Sequence, residues 1–303
     1  MLTAHSTSFT REAPVARATV PLRILIGSSG EPSSIGAIRV ASALAARADV
    51  QVHLVAAAAP VVHPAIEGPT SIVENEEHRH ATLDAARKQL EHVPAANEWK
   101  VRSVVGWPAE SILSEANHWG ASLIVIGIGH HRVIDRFSGT ETAVSVARRS
   151  DVAVMAVPAD AAGLPLRVLA AIDFSEPSKS AARMAAAFMH PDGTLVLAHV
   201  TSIRADDCSS AIDRNDAESL AALEDLASEL RTRSGHRVTT HVMAGDVAEA
   251  LLRFAHDEHC DMIALGAQAR RMGDGVIFGS VRTRLLRAGS GTVLVAPQGR
   301  RRS

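Results

Sequence analysis

Short apolar runs and alternations, bounded by turn residues, recur between longer stretches in which apolar positions return every three or four residues. Runs of four to eight residues are too short for most helices and read as buried strands. They fall at 22–26, 50–55, 99–105, 122–127 and 152–157, and again at 166–172, 194–200, 236–243, 262–265 and 292–296. Between the first two, Ile35, Ile38, Ala41, Leu44 and Ala45 keep helical spacing behind Ser33 and Ser34, which are suited to capping a helix start. Residues 72–92 and 211–233 read as long polar helices, while 142–149, 176–189 and 247–256 read as shorter ones. Gly106-Trp107-Pro108 opens another, with proline in the first turn where its missing N–H costs nothing. Residues 60–69, with a proline at each end, read as a loop. Strands alternating with helices predict a parallel sheet covered on both faces.

The pattern runs through twice. Residues 116–127 (Ala-Asn-His-Trp-Gly-Ala-Ser-Leu-Ile-Val-Ile-Gly) match 255–266 position by position, and Gly106-Trp107-Pro108-Ala109-Glu110 repeats as Gly245-Asp246-Val247-Ala248-Glu249. Both pairs share an offset of about 139 residues, which implies duplication of a whole domain. The division expected is a disordered leader at 1–19, a first domain at 20–158, a short linker from Pro158 to Pro165 and a second domain at 165–298.

Composition narrows the function. With 31 basic against 33 acidic residues there is no broad attraction to nucleic acid or to an anionic membrane. Aromatic residues make up 3% and tyrosine is absent, so the stacking platforms used for single-stranded nucleic acid are missing. Cys208 and Cys260 are the sole cysteines, which argues against a disulfide framework and fits a reducing cytoplasm. No run of about eighteen apolar residues is present to span a bilayer. His256, Asp257, His259 and Cys260 invite a metal reading, but no tetrahedral set is fixed by their spacing, and no metal site is assigned. Neither Cys260 nor Ser175 has an evident base and orienting group, so no catalytic residue is assigned either.

One stretch carries ligand chemistry. The buried run 262–265 delivers the glycine-containing segment 266–280 onto a helix marked by Val281, Leu285 and Leu286. Unpartnered N–H groups and the positive end of the dipole gather at such a helix start, where anionic phosphate is a natural ligand, and Ser280 supplies a hydroxyl at the cap position. The spacing resembles the nucleotide loop of the universal stress protein family, Gly-two-Gly-nine-Gly-Ser. Gly266, nine residues from Arg270 to Phe278, and Gly279-Ser280 fit, while Ala269 stands where the family has its second glycine. Ala171-Ile172-Asp173-Phe174-Ser175-Glu176 looks like the family's first strand and turn, whose aspartate meets the adenosine end of the nucleotide. His199-Val200 resembles the end of its second strand, whose valine lies against adenine.

The resemblance implies an α/β fold: two tandem Rossmann-like or flavodoxin-like open five-stranded parallel sheets with helices on both faces, of the adenine nucleotide alpha hydrolase-like type. Two separate sheets are expected rather than a single continuous one, paired through their last strands into a pseudo-dimer. It implies an ATP-binding stress-response or regulatory protein in the cytoplasm, with or without Mg2+, and site residues Ala171, Asp173, Val200, Leu265, Gly266, Ala269, Gly279, Ser280 and Val281. The bland alternatives are that Gly266 and Gly279 are ordinary turn glycines, Asp173 a turn or helix cap and Val200 plain core. The first half departs from the pattern. Aligning Glu31-Pro32 with Glu176-Pro177 puts Ser28 opposite Asp173, and Gly139-Thr140 arrives one residue early unless Gly129 takes the role of the second glycine. Its nucleotide site is therefore expected to be degenerate. The rival readings are a nucleotide-free interaction scaffold of the same fold and a weak ATPase or phosphotransferase, and a homodimer and an unidentified protein partner stay open.

Overall fold

The computed structural model describes residues 22–47, 49–59, 61–63, 71–73, 76–129, 139–201, 209–267, 269–272, 275–278 and 280–297, with backbone alone at 61–63, 71–73, 209–216, 269–272, 275–278 and 280. The leader 1–19, His130 to Arg132 and Cys208 lie outside these residues. The first half runs β1 (Leu22–Ser28), α1 (Ile35–Ala45), β2 (Val50–Ala58), β3 (Val61–His63), β4 (Ser71–Val73), α2 (Glu76–Glu91), β5 (Lys100–Val105), α3 (Pro108–Trp119), β6 (Leu123–Ile128), α4 (Gly139–Arg149) and β7 (Ala153–Pro158). The second runs β8 (Arg167–Ala171), α5 (Glu176–Phe188), β9 (Thr194–Thr201), α6 (Ser209–Ser234), β10 (Arg237–Ala244), α7 (Val247–Asp257), β11 (Met262–Gly266), β12 (Ala269–Met272), β13 (Gly275–Phe278), α8 (Ser280–Ala288) and β14 (Thr292–Ala296).

Each half supplies five parallel strands, as the sequence predicts, but the two sets are continuous. The sheet has ten strands in the order β10-β9-β8-β11-β14-β7-β6-β1-β2-β5. The expectation of two separate sheets is corrected at the centre, where β14 and β7 pair antiparallel through Val293–Ala156, Leu294–Met155 and Val295–Val154. Both strands are buried along their length. An unpaired edge there would strand backbone N–H and C=O groups in an apolar interior, so the two edges satisfy one another.

The cores cross the same seam. One apolar cluster lies under α1, α2, α5 and α6 and includes Ile38, Ala182, Met155 and Leu294. The other lies under α3, α4, α7 and α8 and includes Ile112, Val146, Leu251, Leu285, Val154 and Val293. Polar contacts add to the join: Arg47 donates to the Met189 carbonyl (2.6 Å), and Arg287 pairs bidentately with Glu141 (2.9 and 3.1 Å). Arg282, 6% exposed, reaches from α8 to the Ala147 carbonyl in the last turn of α4 (3.0 Å).

Three local expectations change. Ser34 stands at the α1 cap position without capping the helix, because its hydroxyl accepts from Ser28 Oγ instead (3.0 Å). The loop read at 60–69 contains β3, whose partner β4 takes Ile72 out of the long helix, so α2 begins at Glu76. The segment 266–280 is not wholly loop, since β12 and β13 form an antiparallel hairpin within it.

Candidate functional site

In the second half the chain passes from β8 outward to β9 and β10, then crosses back to β11 and β14 on the other side. The reversal falls between β8 and β11. Parallel sheets open a crevice at such a point, beyond the carboxyl ends of the strands. Register places Val168 opposite Met262 and Ala170 opposite Ala264, so Asp173, two residues past β8, and Gly266, the last of β11, leave the sheet along the same edge. Ala171, Val200 and Val281 are partly buried and pack with the buried Leu265 against the α7–α8 core. Four of the predicted residues therefore belong to one apolar cluster.

Asp173 is exposed and held in a turn of short hydrogen bonds. Its Oδ1 accepts from the Ser175 N–H (3.1 Å) and the Ser175 hydroxyl (2.5 Å), while its own N–H donates to Ser178 Oγ (3.3 Å). Partial burial pushes this carboxyl up, but the hydroxyls of Ser175 and Ser178 and the backbone N–H groups outweigh it and hold the acid below the usual aspartate range. The turn favours the charged form. Ser175 also caps α5, accepting from the Ser178 N–H. The bland reading of Asp173 is thus right as far as it goes: the residue shapes the strand-to-helix turn, and it does so with an exposed anion at the crevice.

Gly266 has a steric reason. A Cβ there would lie 2.5 Å from the Pro177 carbonyl carbon, 2.5 Å from the Ser178 nitrogen and 2.9 Å from Pro177 Cβ. The first turn of α5 rests directly on the end of β11, so the glycine is required by helix-to-strand packing whatever binds nearby. Ser280 begins α8 as its first helical residue instead of capping it, and the cap position, Gly279, lies outside the described residues. Of Ala269 the backbone is described, in β12.

The first half has the same topology and different chemistry. Ile24 pairs with Leu123 and Val168 with Met262, so the 139-residue offset of β6 and β11 becomes 144 for β1 and β8. That register puts Ser29, not Ser28, opposite Asp173, and Gly30 opposite Phe174. The two latter residues share a left-handed backbone, with φ of 80° and 62°. Gly127 repeats the role of Gly266, its missing Cβ leaving room for Ser33 O at 2.2 Å. The cavity at this switch point, lined by Ser28, Ser29, Ser33, Ile112, Gly139 and Thr142 among others, has a volume of about 30 Å³. A water or two would fill it, whereas drug-sized ligands occupy pockets of roughly 300 Å³ or more.

The left-handed backbone of Phe174 and its ring contact with His199 are features that sequence reasoning did not reach. A bulky residue at positive φ leaves no mark in composition or periodicity. Its ring lies 4.7 Å from that of His199, tilted by 42°. Elsewhere, no group of three or more His, Cys, Asp or Glu side chains among the described residues is arranged to hold a metal ion. Cys260 is buried, and burial pushes its thiol up despite the Arg167 guanidinium nearby.

Comparison with known proteins finds that the family described as "Universal stress protein family" matches twice, over residues 22–158 and 166–297. A universal stress protein from Archaeoglobus fulgidus is similar in structure, with a TM-score of 0.61, 19% identity, 91% of this chain covered and 96% of that one. A putative universal stress protein from Pseudomonas aeruginosa gives 0.58, 16%, 91% and 92%. At such identities the likeness speaks for the fold. No curated protein matches.

Proposed function

We propose, for a chain that belongs to the universal stress protein family through both of its halves, that the second half binds ATP, with or without Mg2+, and that the protein acts as a stress-response or regulatory module. The observation that carries this reading is an exposed carboxylate, biased toward its ionised form, at the topological switch point of the second half, with serine in its place in the first.

The residues suit the ligand part by part. A carboxylate accepts from ribose hydroxyls or an adenine amino group. Ala171, Val200 and Val281, partly buried in the same apolar cluster as Leu265, are suited to offer apolar surface to a purine. The start of α8 at Ser280 offers backbone N–H groups to phosphate. In the first half the 30 Å³ cavity and the missing carboxylate support a structural role. The β7–β14 seam supports treating the tandem chain as a pseudo-dimer. No helix among the described residues is long and apolar enough to cross a membrane. The pair of cysteines suits a cytoplasmic location.

Mass spectrometry of freshly purified, denatured protein tests the reading: about one ATP per chain is expected. Titration calorimetry of Gly279→Val gives the second arm, because a side chain at a phosphate-facing glycine blocks close backbone approach. Affinity falls at least about tenfold, or roughly 1.4 kcal/mol. Absence of ATP together with absence of heat on titration would refute the assignment and leave the nucleotide-free scaffold.

A further inference from the structure

The turn after β8 contains a residue whose backbone conformation is costly for its side chain. Phe174 has φ of 62°, a left-handed backbone that costs a residue with a side chain about 1–2 kcal/mol and that glycine adopts freely. The first half makes the same turn with Gly30 at φ of 80°. Strain of this kind persists where the surroundings over-determine it, and it concentrates at ligand sites.

The surroundings are specific. The Ile172 N–H extends the ladder onto the Ala198 carbonyl (2.7 Å), and the Ile172 carbonyl is 2.7 Å from His199 Nδ1. A carbonyl only accepts, so Nδ1 carries the proton and the imidazole is fixed in orientation. Phe174 lies against that ring at a centroid distance within the range of interacting aromatic pairs, and packs against the core beneath α5 and α6. Asp173 sits between two tethered neighbours. Strand register shows that the two halves differ at all three positions: Val52 pairs with Ile24 as Leu195 pairs with Val168, so Ala56 occupies the place of His199. The half with Asp173 has Phe174 and His199. The half with Ser29 has Gly30 and Ala56.

We propose that Phe174 is a positioning residue for ligand binding: its ring, seated on His199, holds the turn that presents the Asp173 carboxylate to the crevice. The proposal rests on the nucleotide reading for the identity of the ligand, but the positioning itself is a property of the free protein. The alternative is ordinary packing, in which the ring fills space and Asp173 keeps its place without it.

Two measurements on the full-length chain separate these. Carbon-13 titration of the Asp173 carboxyl, assigned by its loss in Asp173→Asn, is carried out on wild type, Phe174→Gly and Phe174→Tyr without nucleotide, and ATP affinity is measured calorimetrically on the same proteins. Glycine accepts a positive φ without strain and removes the ring, so the variant folds while the turn loses its anchor on His199. Its carboxyl moves up toward the ordinary aspartate range and ATP affinity falls about fivefold or more, as expected for the loss of part of a hydrogen bond to a charged group. Tyrosine restores both. His199→Ala, which leaves Phe174 in place, reproduces the glycine result. An unmoved carboxyl in Phe174→Gly overturns the proposal, and so does a moved carboxyl with unchanged ATP affinity. Should wild type bind no ATP while the carboxyl still moves, the nucleotide reading fails and the positioning of Asp173 stands.

Discussion

Substituting Gly266 by alanine adds a single methyl group at the tightest contact of the candidate site. The new Cβ lies 2.5 Å from two backbone atoms, the Pro177 carbonyl carbon and the Ser178 nitrogen, where carbon contacts normally settle at about 3.5–4.0 Å. No flexible side-chain end can give way, so α5 must lift or β11 must bow by roughly 1 Å, and overpacking of this kind costs about 1–3 kcal/mol. Because backbone resists on both sides, a loss near the upper end, about 3 kcal/mol, is expected. The displaced turn contains Ser175 and Ser178, so the hydroxyl cradle of Asp173 loosens as well. Urea unfolding followed by far-ultraviolet circular dichroism reads the effect as a lower midpoint at unchanged slope. Gly163→Ala is the control, since a Cβ there meets nothing within 4 Å, and it should be neutral or stabilise by about 0.4–1 kcal/mol. Gly127→Ala, with Ser33 O at 2.2 Å, should behave like Gly266→Ala. A Gly266→Ala protein within about 0.5 kcal/mol of wild type, the ordinary range for an innocuous surface change, would refute the claim that helix packing demands this glycine.

Two further outcomes follow from charged groups. Asp246 caps α7 through the Glu249 N–H (3.0 Å) and pairs with Arg284 (2.7 Å); the backbone bond from Glu249 is the largest of the effects that hold its carboxyl below the ordinary value. A depressed folded pKa contributes stability above the unfolded pKa of about 3.9 and loses it as pH falls through the folded value. Asp246→Ala is therefore less stable than wild type at pH 7, and the gap closes below about pH 4 in unfolding midpoints taken across the range; a gap independent of pH would contradict this. At the seam, burial lowers the Arg282 pKa, Arg148 lowers it further, and no carboxylate pairs with it among the described residues. Relief of desolvation in Arg282→Met should offset the lost bond to Ala147 to within about 1 kcal/mol, while Arg282→Ala, which also leaves a cavity, should cost about 2 kcal/mol or more in the same assay.

The element order was largely legible because the buried runs of a doubly covered parallel sheet are short, apolar and regularly spaced, and the repeat at 139 residues exposed the two halves. Where local signals were read too coarsely, the structure differs. The segment 266–280 was read for its glycines, although Val276, Ile277 and Phe278 following Gly273-Asp274-Gly275 also carry a hairpin signal. Prolines concealed β3 in the same way. The site splits along a similar line. Asp173, Val200 and Leu265 could be placed from strand ends, but the demand on Gly266 arises from a helix 90 residues earlier in the chain, and the backbone at Phe174 is set by tertiary packing that overrides its local preference. A one-residue slip, Ser28 for Ser29, came from aligning Glu-Pro pairs that look alike and occupy different places in the turn.

The antiparallel pairing at the centre of the sheet gives the molecule two poles. All strands of the first half point one way and all strands of the second point the other, so the two switch-point crevices open at opposite ends. The strand ends that frame one crevice therefore come from one half alone. A signal from one pole must cross the whole length of a strand to reach the other, and the route offered is mechanical: α4 and α8 lie side by side across the seam, clamped at one end by Arg282 and at the other by Arg287 and Glu141. A change of side chains at one pole therefore leaves the strand ends of the other pole untouched.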